Sequence, residues 1–152
     1  MKSNYLLLLL LFTLSTSFAQ KNVIKGNPIA FAAGIFNAEW EKAINSKSSF
    51  SVGAGVAILN DLNGFLLSSS YRFYITNRKK LVPEGLYVGG DGILIVGFED
   101  ETNLLIGANV GYQWIWESGF TMDLGIGPHY LISDNYDSGT IPYPTFTIGY
   151  NF

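Results

Sequence analysis

Residues 104–132 read LLIGANVGYQWIWESGFTMDLGIGPHYLI, and this stretch decides the fold. Leu104, Ile106, Ala108, Val110, Tyr112, Trp114 and Trp116 fall on one side of an extended chain, and Gly107, Asn109, Gly111 and Gln113 on the other. After Glu117-Ser118-Gly119 the pattern resumes. Phe120, Met122, Leu124, Ile126, Pro128, Tyr130 and Ile132 oppose Thr121, Asp123, Gly125, Gly127 and His129. A period of two belongs to strands, and two such runs joined by a short Gly-containing turn predict an antiparallel hairpin.

The same alternation extends outward in both directions. It predicts strands over 35–44, 48–59, 64–76, 85–97, 103–116, 119–132 and 142–152. These exceed the usual strand of about 5–6 residues and suit the roughly 9–11 residues with which a tilted strand crosses a bilayer. Turn-forming residues sit at 45–47, 60–64 and 117–119, with a longer connection at 133–141. Lipid admits no open sheet edge, and bacterial single-chain barrels have even strand numbers from 8 upward. An eighth strand is therefore assigned to 26–33, with a turn near Gly34; the alternative is one long kinked first strand with the termini on opposite sides. No amphipathic helix is expected.

The polarity of the two faces gives the setting. The polar face is mostly Gly, Ser, Thr and Asn, as a cramped interior requires, while the other face is continuously apolar and aromatic. A soluble barrel would put its apolar face inward. The expectation is an all-β, closed antiparallel up-and-down transmembrane barrel with an apolar band outside. With both termini in the periplasm, Trp40, Phe50, Phe73, Trp114, Trp116, Phe120, Tyr150 and Phe152 form an outward girdle at the periplasmic ends. Phe36, Phe65 and Tyr130 lie at the outer ends. Arg78, Lys79 and Lys80 fall in a periplasmic turn. Glu99, Asp100, Glu101, Asp134 and Asp137 fall in outer loops.

Composition narrows the function. Of 152 residues 14% are charged, against about 25% in ordinary soluble domains, while 48% are hydrophobic and 15% aromatic. This excludes a disordered chain, a charged coiled coil and a basic nucleic-acid binder. Lys2, the run Leu6–Phe12 and Ser17-Phe18-Ala19 have the layout of a secretory signal peptide over 1–19. The barrel domain then spans 20–152, and its place is the outer membrane. There is no cysteine, and hence no disulfide or lipidated thiol.

The lumen-facing polar set is Glu39, Glu41, Arg72, Asp91, Asn109, Gln113, Asp123 and His129. An eight-stranded barrel is just wide enough for side chains to fill it, and buried charges must be paired. An interior ion-pair network that fills the lumen is expected, with Arg72 among the carboxylates. Catalysis would need His129 beside a nucleophile and an orienting carboxylate. Ser133 follows at four residues and Thr145 is a candidate cross-strand hydroxyl, but no carboxylate is placed to orient the imidazole unless Asp134 or Asp137 folds back. No enzyme activity, cofactor or metal is therefore expected. The alternatives are a lipid-modifying outer-membrane enzyme centred on His129 and a soluble periplasmic β-barrel binding protein.

The last strand carries Thr147, Gly149, Tyr150 and Phe152, a polar–Gly–aromatic alternation ending in Phe. It resembles the signal that outer-membrane assembly machinery reads by strand addition. More broadly, the runs Phe36–Ala43, Tyr71–Tyr74, Pro83–Gly89, Gly111–Trp116, Ser118–Leu124 and Gly149–Phe152 resemble small outer-membrane β-barrel proteins of Bacteroidetes-type bacteria. That family includes members with a domain of unknown function. The resemblance implies an outer-membrane barrel and no reaction. The expected partners are outer-membrane lipid and the assembly machinery. A ligand of the outer loops is left open, and no nucleic acid is expected.

Overall fold

The computed structural model describes residues 22–58, 63–76, 82–98, 102–133 and 137–152. Eight antiparallel strands follow one another around a closed barrel. They are β1 (Asn22–Gly26), β2 (Ile35–Asn45), β3 (Ser48–Ile58), β4 (Asn63–Tyr74), β5 (Gly85–Gly97), β6 (Thr102–Ile115), β7 (Phe120–Ser133) and β8 (Gly139–Asn151). One helical turn, α1 (Pro28–Ala32), separates β1 from β2. The expected signal peptide, the basic turn at 78–80, the acidic residues at 99–101 and Asp134 lie outside the described residues.

Closure is made by β1 against β8, in the register Val23↔Asn151, Ile24↔Tyr150, Lys25↔Gly149 and Gly26↔Ile148. Asn22 and Phe152 exchange backbone hydrogen bonds of 3.3 and 2.9 Å, so no strand edge stays open at this seam. The end carrying Asn22 and Phe152 is called the base below, and the end carrying α1 the rim.

The first strand departs from expectation. Residues 28–32, assigned to a strand from the sequence, form the helical turn, and the strand is Asn22–Gly26. The reason is local chemistry. Asn27 caps the turn, its Oδ1 accepting from the amides of Ile29 (3.0 Å) and Ala30 (2.9 Å). Pro28 then occupies the position where a missing N–H costs nothing. Gly34, at φ 92°, turns the chain back into β2. The other seven strands overlap their predicted spans, β8 starting at Gly139 rather than at 142.

Charged side chains lie inside the barrel and large apolar ones outside. Phe36, Phe65, Leu67, Val110, Ile126 and Ile132 are exposed, whereas Lys25, Glu41, Arg72, Asp123 and His129 are buried. Among the described strand residues, Lys42 is the one charged side chain on the outward face. It lies toward the base, its ammonium 6.0 Å from the Trp40 ring.

Large inward side chains reach across the lumen over glycines on neighbouring strands. Tyr87 pairs in register with Gly111, which pairs with Gly125. A Cβ on either glycine would overlap the Tyr87 hydroxyl. At the base, Val82, Pro83 and Glu84 are buried, and Val82 packs with Val23 and Ile115 to cap the lumen from below.

Gly111→Leu should therefore destabilise the barrel by at least the roughly 1–3 kcal/mol typical of overpacking. Gly139→Leu should leave stability unchanged, because nothing lies within 4 Å of the added Cβ. Thermal unfolding followed by far-UV circular dichroism checks both; equal melting of the two variants would contradict this packing.

Candidate functional site: the barrel interior

In the base half of the lumen the structure gathers ionic side chains from strands far apart in sequence. Lys25 comes from β1, Glu39 and Glu41 from β2, Arg72 from β4 and Asp123 from β7. Lys25 Nζ lies 2.5 Å from Glu41 Oε2, 3.5 Å from Asp123 Oδ2 and 3.6 Å from Glu39 Oε1. Arg72 Nη1 donates to Asp123 Oδ2 and sits 3.7 Å from Glu41 Oε2. Gln113 Oε1 accepts from both cations at 3.3 Å, while its Nε2 donates to the Pro83 carbonyl at 3.2 Å. That last bond ties the cluster to the base cap.

The second oxygens of Glu41 and Asp123 are also used. Glu41 Oε1 accepts from Ser49 Oγ and, at 3.0 Å, from the Tyr74 hydroxyl. Asp123 Oδ1 accepts from the Tyr87 hydroxyl at 2.7 Å. Arg72 also stacks 4.6 Å from the Tyr87 ring centroid, where the guanidinium gains from the ring's negative face. Extensive pairing of this kind is what a buried ion cluster needs to offset its desolvation.

A second set lies higher. His129 Nε2 is 2.6 Å from Asp91 Oδ2, and Asn109 Nδ2 donates to Asp91 Oδ1 at 2.6 Å. No carboxylate was expected to orient His129; one does. Asp91 and His129 belong to β5 and β7, with Gly107 of β6 in register between them. A Cβ on Gly107 would overlap the imidazole, so the glycine opens the path. The other ring nitrogen, Nδ1, lies 3.4 Å from the Gly127 carbonyl. Both ring nitrogens thus face oxygens of Asp91 and Gly127, and the ring packs on Tyr143 with centroids 4.7 Å apart.

All eight lumen-assigned residues face inward. Glu39, Glu41, Arg72, Gln113 and Asp123 share the lower cluster; Asp91, Asn109 and His129 form the upper set. Thr147 and Gly149 also face inward, while Tyr150 and Phe152 are exposed outside. Lys25 was missed, because placing the first strand at 26–33 left it outside the barrel. A signal was nevertheless available. Several inward carboxylates with one arginine leave negative charge unpaired, which calls for a second inward cation.

The sequence predicts a filled lumen, and side chains do fill its base half. Toward the rim a cavity of about 220 Å³ remains, bordered by both polar sets. Among the described residues no group of acidic or His side chains has the arrangement of a metal site. No protein-family model, curated protein or solved structure matches the chain.

Removal of one ion should be costly and coupled. Lys25→Met should lose about 3–5 kcal/mol, because Glu41 is then left buried beside no ammonium. Lys25→Met combined with Glu41→Gln should fall short of the summed single losses by about 1–3 kcal/mol. Urea unfolding of the four proteins of the cycle measures this, and additive losses would show that the pair is not coupled.

Proposed function

We propose that this protein is a non-catalytic outer-membrane β-barrel, exported by a cleaved signal peptide, that serves a structural or surface-interaction role with its lumen blocked by the ion cluster. One observation carries the reading: the charges are inside and the large apolar side chains outside. Exposed Ile, Leu, Val, Phe and Trp around a whole barrel would be unsustainable in water, where exposed apolar patches mark contact surfaces. A bilayer supplies that contact.

Further features fit. Trp40, Phe50, Phe73, Trp116, Phe120, Tyr150 and Phe152 are outward-facing toward the base, and Phe36, Phe65 and Tyr130 outward-facing toward the rim. This is the two-girdle arrangement of barrels whose aromatic rings lie at both membrane interfaces. Lys42 lies at the base girdle, where a long side chain reaches the aqueous boundary. Ile148 and Tyr150 of β8 and the adjoining Phe152 alternate with Thr147, Gly149 and Asn151. That is the pattern an assembly machinery would read on the strand that closes the barrel. Kinship with small Bacteroidetes-type outer-membrane barrels belongs to the same proposal.

Two features favour a non-catalytic role. The ion cluster spans the base half, which argues against a continuous path for solute. The imidazole of His129 has both nitrogens engaged, by Asp91 and by the Gly127 carbonyl, so neither is directed at a hydroxyl nucleophile.

Membrane fractionation with gel migration of unheated and boiled samples tests the reading. The protein should sediment with outer membranes and migrate differently before and after boiling; recovery in the soluble periplasm with identical migration would refute it. Val110→Arg, on the outward face at mid-strand, should cost about 2–4 kcal/mol in bilayer refolding. Deletion of Phe152 should reduce outer-membrane levels far more than it lowers refolded stability. A deletion variant present at normal levels would remove the assembly role from β8.

A further inference from the structure

The cavity at the rim half is a built pocket with two different surfaces. Its walls include Ile35, Leu66, Ile93, Ile95 and Leu105, apolar side chains on the otherwise polar inner face. Its floor is polar, formed by Glu39, Arg72, Asn109, Thr145 and Thr147 among others. Interior isoleucines and leucines add nothing to a lumen that only needs plugging with ions, but they suit the apolar body of a guest. Mouths of β-barrels are recurrent ligand sites of this kind, apolar with a few placed polar groups.

The floor has unused hydrogen-bonding capacity. Asn109 Oδ1, Thr145 Oγ1, Thr147 Oγ1 and Arg72 Nε are buried without a partner among the described residues. Buried polar groups are nearly always satisfied, so such atoms grouped at one cavity floor require an explanation. Arg72, Asn109 and Thr147 are 5%, 8% and 8% exposed, so bulk water does not serve them.

Charge selects the guest. Lys25 and Arg72 are drawn down onto Glu41 and Asp123, whose side chains are 0% and 1% exposed. Glu39 is left over. Its side chain is 22% exposed, its Oε1 makes no hydrogen bond, and its nearest cation is Lys25 at 3.6 Å. Asp91 is already held by His129 and Asn109. The surplus charge facing the cavity is therefore a carboxylate. Of the four unpartnered floor atoms, the amide oxygen and the two threonine hydroxyl oxygens accept, as a three-donor ammonium group requires; Arg72 Nε is a donor and is not served by it.

We infer that the rim cavity binds a small free primary amine with a short hydrocarbon or aromatic body, its ammonium on Glu39 and its body between Ile35, Leu66, Ile93, Ile95 and Leu105. The size follows from volume. A cavity of about 150 Å³ holds benzene, so one of about 220 Å³ accommodates roughly nine non-hydrogen atoms. The amine passes in from the rim, because barrel strands form the walls and the ion cluster and the 82–84 cap close the base.

Titration calorimetry on the full barrel folded in detergent micelles tests this, with three probes of similar size: phenethylamine, phenethyl alcohol and phenylacetate. Phenethylamine should bind saturably at one site, the alcohol about tenfold or more weakly for want of the charged hydrogen bond, and phenylacetate not at all. Glu39→Gln should abolish the preference for amine over alcohol, and Leu105→Trp, which fills the cavity, should abolish binding of both. The wild-type comparison stands even if a variant fails to fold. Absence of saturable phenethylamine binding to protein that shows heat-dependent migration would overturn the inference, as would equal binding of the three probes.

Discussion

The pairing of Lys25 and Arg72 with Glu41 and Asp123 at the barrel axis is the constraint on which the rest of the structure depends. Charges so deeply buried persist only when each is paired and hydrogen-bonded. The four come from β1, β2, β4 and β7; Lys25–Glu41 joins the adjacent β1 and β2, while Arg72–Asp123, Arg72–Glu41 and Lys25–Asp123 tie together strands that are not neighbours in the sheet. Backbone ladders join adjacent strands; the ions, with Gln113 of β6 and Tyr87 of β5, join opposite walls. With the base half of its interior committed largely to ions and tyrosines, a barrel of this size carries most of its large apolar side chains on the outer surface.

Space inside decides where glycine must stand. Tyr87 lies over Gly111 and Gly125, and the Asp91–His129 contact crosses Gly107. The alternation of large polar side chains with glycines on adjacent strands is thus a packing solution to a narrow lumen. It differs between the two halves. The base is closed by ions, tyrosines and the buried 82–84 segment. The rim half, with smaller side chains such as Ser51, Ser68 and Ser70, leaves the cavity. One barrel therefore combines a lower half packed with side chains and an upper cavity, and this is how its interior comes to have a candidate binding site.

Much of this was legible in the sequence, because strand periodicity exposes both faces at once. Thr121, Asp123 and His129 read as inward from alternation alone, and all are buried. The first strand was not legible. Asn22–Gly26 is too short for a secure period, and the apolar run Ile29–Ala32 mimics a strand although Asn27-Pro28 signals a capped helical turn. That one misplacement hid Lys25, and with it the cation that balances Glu41. The Asp91–His129 contact was hidden for a different reason. It spans three strands in one row, and a residue two strands away is invisible to reasoning about immediate neighbours. The cavity was hidden as well, since it depends on the volumes of side chains brought together only by closure.

The most direct test of the account is native tryptophan fluorescence in vesicles whose acyl chains carry bromine near the headgroup. Trp40, Trp114 and Trp116 all lie on the outward face, where lipid would meet them. Refolded barrel in brominated bilayers should lose most of its emission relative to the same barrel in unbrominated lipid. Emission unchanged by bromine, with the protein remaining folded and monodisperse in the aqueous phase, would contradict the inside-out reading.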